Sequence, residues 1–152
     1  MSGNPAEVGL NIPPADARAR LQQLAYTILS PSLGRRRRTL IAHVAVDRAF
    51  SSGEVIPGAS YPVLRERVVR RTLTTGRRRA VLATRAAGRP RPTANAEPEL
   101  AWLLPAARAA YALRHLEGLD RSETHAVLAA AGVGDPVTAT TLADRILTDT
   151  RP

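Results

Sequence analysis

A chain of 152 residues whose 22 basic side chains are all arginine, with 13 acids and no cysteine, lacks the lysine of a phosphate-binding P-loop or a Schiff-base enzyme and the thiols of a disulfide or thiolate metal site. The net charge of +9 is unevenly spread: residues 1–91 hold 17 arginines against 5 acids and residues 92–152 hold 5 against 8, so a polyanion partner is expected for the first part alone. Few aromatics (3%) and abundant alanine suit helix-on-helix packing and an all-α fold, while the lack of any apolar run near ~18 residues and of a charged-then-apolar leader in residues 1–9 leads us to expect a soluble, cytoplasmic chain without membrane contact.

Residues 1–14, with Gly, Asn and three prolines, read as a flexible lead-in. From residue 15 to 30, Leu21, Leu24, Ala25, Ile28 and Leu29 recur at helical spacing, and Pro31 ends the run. Gly34 and the block Arg35, Arg36, Arg37 and Arg38 precede a second apolar stripe of Leu40, Ile41, Val44, Ala45 and Ala49, which closes near Ser51. The arginine block reads either as a solvated loop or as a contact for phosphate or an acidic protein. Gly53, Pro57, Gly58 and Pro62 make a loop, and residues 63–85 form a third helical region that Gly76 is expected to break. Arg70, Arg71, Arg77, Arg78 and Arg79 can form one basic stripe with Arg67. That stripe is a candidate nucleic-acid contact, with a solvated face as the plain alternative. Tyr61 is the nearest aromatic that could stack on a base.

Residues 15–87 thus form a basic helical domain. Residues 88–97 are rich in proline and coincide with the change of charge sign, which marks a linker. In residues 98–152, Leu100, Leu103 and Leu104 lead into a helix that Pro105 starts and Gly118 closes, with Trp102 and Tyr111 as expected core anchors. Asp120 and Glu123 form a capping-box-like start to a second helix carrying Val127, Leu128 and Ala131. Gly132, Gly134 and Pro136 make a turn, and residues 137–147 form a third helix with Val137, Leu142 and Ile146 pointing inward. Helix, glycine turn, helix is the outline of a helix-turn-helix. His43, His115 and His125 lack companions at ligand spacing, and no nucleophile elbow occurs, so no metal, cofactor or catalytic site is expected.

The run Leu104-Pro105, Arg108, Tyr111, Leu113-Arg114, Glu117-Gly118-Leu119 and Glu123 resembles the pattern of region 4 in the sigma-70 family, in its extracytoplasmic-function type. Leu24-Ala25-Tyr26, Asp47-Arg48-Ala49-Phe50 and residues 63–79 are similar to region 2. The resemblance implies two small helical domains joined by the Pro-rich linker, the second a region 4-like helix-turn-helix. It implies that the first part grips the clamp of RNA polymerase and opens the promoter, while the second reads an upstream promoter element and touches the β flap. Expected partners are therefore RNA polymerase core, promoter DNA and an anti-sigma or other regulatory protein. The expected role is to direct or modulate transcription initiation, without enzymatic activity.

In the last helix, Thr138, Thr140, Thr141 and Arg145 are the candidate DNA contacts, since a recognition helix sets a few side chains against base edges. Four departures from the family pattern are visible. Cations of the family's last helix fall on Ala139, Thr141 and Asp144, the turn before that helix is longer, Thr124 and His125 replace an Ile-Ala pair in the second helix, and the acidic segment that meets the clamp falls on Leu40 to Val44. They leave a second reading open: a sigma-like protein-interaction or regulatory module without strong DNA binding.

Overall fold

The computed structural model describes residues 14–51, 60–85 and 104–149. Among them every regular element is a helix. The order is α1 (Pro14–Ile28), a short 3-10 turn (Pro31–Leu33), α2 (Arg35–Ser51), α3 (Tyr61–Arg85), α4 (Pro105–His115), α5 (Arg121–Ala130) and α6 (Pro136–Asp149). The expected loop at residues 53–58, the linker at 88–97, Trp102 and nearly all of the lead-in lie outside the described residues. No described helix is long and apolar enough to cross a membrane.

α1 buries the stripe its spacing predicts: Leu21, Leu24, Ala25 and Ile28 are inside, and Leu29 follows them into the core. The helix stops before residue 30 because the Ser30 hydroxyl accepts a hydrogen bond from the Ser32 N–H and starts the 3-10 turn. α2 departs from expectation in two ways. The four arginines are its first turn and not a preceding loop, although cations at a helix N-terminus oppose the macrodipole. Its buried face is Ile41, Ala42, Ala45, Val46 and Ala49, leaving Leu40 64% and Val44 40% exposed. The stripe that packs includes the small Ala42, Ala45 and Ala49, so it is rotated by about one residue, ~100°, from the one marked by the larger side chains.

α3 runs unbroken through Gly76, where a Cβ would meet nothing within 4 Å. A glycine inside a helix costs about 1 kcal/mol relative to alanine, too little to end a helix anchored by buried Val68, Val69, Thr72 and Leu73. α4 meets α1, α3, α5 and α6 through Ala107, Ala109, Ala110, Ala112 and Leu113, all buried. Tyr111 is only half-buried against the core and stacks on His115 at 5.3 Å.

Residues from both sides of positions 88–97 belong to one hydrophobic cluster, which includes Leu24 and Val68 from the first part and Leu113, Leu128 and Ala143 from the second. Polar joints reinforce it at the end of α1. The Arg108 Nε donates to the Ile28 carbonyl at 2.8 Å and the Arg38 Nε to the Tyr26 carbonyl at 2.7 Å, so two guanidinium groups face carbonyls that a helix C-terminus leaves without intrahelical donors. Arg38 also lies over the Tyr26 ring, 4.1 Å from its centroid. Burial, and then the nearby Arg38 charge, push the Arg108 guanidinium down to about 10, so it stays charged at neutral pH.

Candidate nucleic-acid interface

The pair α5 and α6, joined by a glycine turn, is built by local chemistry that closes at each end. The Asp120 carboxylate accepts the Glu123 N–H at 2.8 Å and the Glu123 carboxylate accepts the Asp120 N–H at 2.8 Å, a reciprocal capping box that starts α5. At the far end Gly132 adopts φ 85°. The Gly132 N–H bonds to the Ala129 carbonyl and the Val133 N–H to the Leu128 carbonyl, both at 3.0 Å, the paired bonds of a Schellman turn. Asp135 then starts α6. Its carboxylate accepts the Thr138 N–H at 3.0 Å and the Thr138 hydroxyl at 2.6 Å, and these bonds, the hydroxyl first, hold it below the usual carboxylate range.

α6 packs on α4 and α5 through Ala139, Thr140 and Ala143. This phase corrects the expected inward set. Val137 is 58% exposed and Leu142 and Ile146 are half-buried, because the side chains turned onto α4 and α5 are the small ones at 139, 140 and 143. Thr140 is corrected too. It is 0% exposed and its hydroxyl donates to the Pro136 carbonyl at 2.8 Å, so it belongs to the interior and not to a DNA face. Val137, Thr138, Thr141 and Arg145 make the outer face. Thr138 is tied to Asp135, and the Thr141 hydroxyl donates to the Val137 carbonyl at 2.9 Å. Arg145 has no hydrogen-bond or ion-pair partner among the described residues.

Asp144 has a structural use. One carboxylate oxygen accepts from the Arg114 Nε at 2.7 Å and the other from Arg121 at 2.7 and 3.2 Å, clipping α4, α5 and α6 together beside an open groove lined also by His115, Leu119 and Leu147. Burial pushes this carboxyl up, but the hydrogen bonds from Arg121 and Arg114 and their charges outweigh it and hold it low. A carboxyl held low in the folded chain adds stability that is fully present above its unfolded value, ~4, and that disappears as pH falls through the folded value. Asp144→Asn is therefore expected to cost about 1 kcal/mol at neutral pH, with variant and wild type converging in acid. Urea titrations across pH 2–7 check this, and a pH-independent difference would refute it.

On α3, Arg67 and Arg71 are half-buried and have no hydrogen-bond or ion-pair partner among the described residues. Arg70 is committed elsewhere: its Nη2 donates to the Ala130 carbonyl at 2.7 Å and pairs with Glu66 at 3.0 Å. It thereby joins α3 to the C-terminal end of α5. Arg77, Arg78 and Arg79 continue α3, with side chains outside the described residues. At the start of α2, Arg35, Arg36 and Arg37 are exposed, whereas Arg38 turns onto Tyr26. Tyr61 is no stacking platform. It is buried, and its hydroxyl donates to Glu117 Oε1 at 2.7 Å.

Glu117, which the sequence marks only as the close of α4, is the residue missed. Its side chain is 2% exposed and its second oxygen lies 3.5 Å from Arg65 and 3.6 Å from Arg20, so a carboxylate after α4 is held by α1 and α3. Burial, then the bond to Glu117, raise the Tyr61 phenol far above its ordinary value. The Glu-Gly-Leu run was a visible signal for the turn, but nothing local indicates partners in α1 and α3. No family model, curated protein or solved structure matches the chain.

Proposed function

We propose that this chain is a sigma factor-like transcription protein, which binds RNA polymerase core and promoter DNA to direct or modulate initiation. One observation carries the proposal: α5 and α6, joined by a glycine turn, pack on α4 so that the outer face of α6, with Val137, Thr138, Thr141 and Arg145, is exposed. A presented second helix is what major-groove reading requires. Support also comes from Arg67 and Arg71 on α3, cations without a described partner in the strongly basic part of the chain, which suit phosphate. The role involves no reaction and no cofactor.

The test is reconstituted transcription with core polymerase, with DNA binding followed against salt. Arg67→Ala with Arg71→Ala is expected to weaken DNA binding about tenfold and to lower the salt slope by roughly one per lost phosphate contact. Failure of the wild type to bind core at low salt would overturn the proposal.

A second reading, a sigma-like interaction or regulatory module that binds an anti-sigma-type or other protein without strong DNA binding, is favoured by the acids of the last helix and its start. Asp135 stands at the start of α6, where it repels phosphate, and Asp144 occupies Arg114 and Arg121. Under it the full chain holds a protein partner but shows no salt-sensitive DNA binding.

A further inference from the structure

The apolar pair left outside by the rotation of α2 sits in an ordered row. Residues four apart on a helix lie along one ridge, and Arg36, Leu40, Val44 and Arg48 follow one another at that spacing, all exposed. Arg37 is exposed beside them. Asp47, the one acid of α2, is paired with Arg18, and Arg18 in turn covers the Phe50 ring at 4.6 Å. The flanks of the ridge are therefore net positive, while Arg36, Arg37 and Arg48 have no hydrogen-bond or ion-pair partner among the described residues. The ridge reads cation, apolar, apolar, cation over about 18 Å at 1.5 Å per residue.

We propose that this face of α2 docks an acidic amphipathic helix of another protein. The partner would place an apolar groove on Leu40 and Val44, and a carboxylate near each end would meet Arg36 and Arg48. Two apolar side chains with 64% and 40% exposure gain from such a groove, and i±4 ridges fit helical grooves. The charges at both ends fix the register and direction of the partner. Duplex DNA offers the arginines phosphate but leaves Leu40 and Val44 against charge, so an acidic helix satisfies all four positions better. The inference stands on exposed side chains of α2, the helix that carries the clamp-facing segment of the resemblance, whereas the transcription proposal is carried by α3 and α6.

The test uses the full chain and a synthetic helical probe of about 20 residues, ~30 Å long, with leucines on one stripe and glutamates at both ends. Binding is read by fluorescence anisotropy, beside a scrambled peptide of equal composition, anionic phosphatidylserine vesicles and duplex DNA. The wild type is expected to prefer the ordered probe to the scrambled one by about tenfold or more. Leu40→Gln with Val44→Gln should lose about tenfold at any salt concentration. Arg36→Gln with Arg48→Gln should bind more weakly at low salt and lose the salt dependence. All four positions are exposed, so circular dichroism melts should stay near wild type.

No binding of the ordered probe, equal binding of the scrambled one, or indifference to the Leu40 and Val44 changes would overturn the inference. So would a loss of vesicle or DNA binding in the Gln variants that exceeds the loss of probe binding. Core polymerase binding is measured separately. A chain that holds the probe but not polymerase keeps this inference and ends the transcription proposal.

Discussion

Replacing Glu117 by alanine is expected to destabilise the fold by about 3 kcal/mol, the lower end of the cost of breaking a buried ion pair. The lower end applies because Arg20 is 41% exposed and can turn to water, whereas Arg65 is 14% exposed and would keep an uncompensated charge inside. Tyr61 would lose the acceptor of its hydroxyl, adding the cost of an unsatisfied buried donor. Glu117→Gln keeps an acceptor for Tyr61 and should cost less than alanine. Urea midpoints measure both, and a double-mutant cycle with Tyr61→Phe should return a coupling of about 1 kcal/mol or more. A loss below ~1 kcal/mol for Glu117→Ala would mean that the arginines are solvated in the folded chain.

The same site sets an alkaline dependence. Burial and the Glu117 bond raise the Tyr61 phenol above its ordinary 10.0, so its contribution is complete below that pH and is lost as pH climbs through the folded value. Arg108 acts in the opposite direction there, because its folded value near 10 lies below the ordinary 12.5. The difference between wild type and Tyr61→Phe removes the arginine and isolates the phenol. It should shrink above pH 10.

Leu113→Ala is expected to cost about 3 kcal/mol, from lost apolar transfer and the cavity left behind. Leu113 is 0% exposed on α4, the helix that meets α1, α3, α5 and α6, and the buried residues beside it at 109, 110 and 112 are alanines that cannot extend to fill the space. Because the core cluster draws on residues from both sides of positions 88–97, wild type and variant should each unfold in one transition, monitored by Tyr and Trp fluorescence together with circular dichroism. Two separated transitions would show that the parts unfold independently. A loss under ~1 kcal/mol would show that the core collapses around the vacancy.

Much of the local construction could be read from residues alone. Leu21, Leu24 and Ile28 mark the inner face of α1, the Asp120 and Glu123 pair marks the start of α5, and the glycines at 118 and 132 mark turns with φ of 66° and 85°. These features depend on neighbours within a few positions, where caps and glycine conformation act. The buried faces of α2 and α6 differ from the stripes that their larger side chains mark, for one shared reason. A 3.6-residue period admits adjacent stripes, and weighting by size selects Leu40, Val44 and Val137, whereas packing selects the alanines and Thr140.

The partnerships that join the chain belong to the three-dimensional arrangement. Arg108 meets the Ile28 carbonyl across 80 positions, Arg70 meets the Ala130 carbonyl across 60 and Tyr61 meets Glu117 across 56. Composition and spacing establish an all-helical chain with its positive charge in the first part, because helix propensity, capping and net charge are properties of short segments and sums. Which arginines remain available to a partner and which are bound to carbonyls and carboxylates depends on how the helices approach one another. That approach is set by the shape of the buried surfaces, and no short segment contains it.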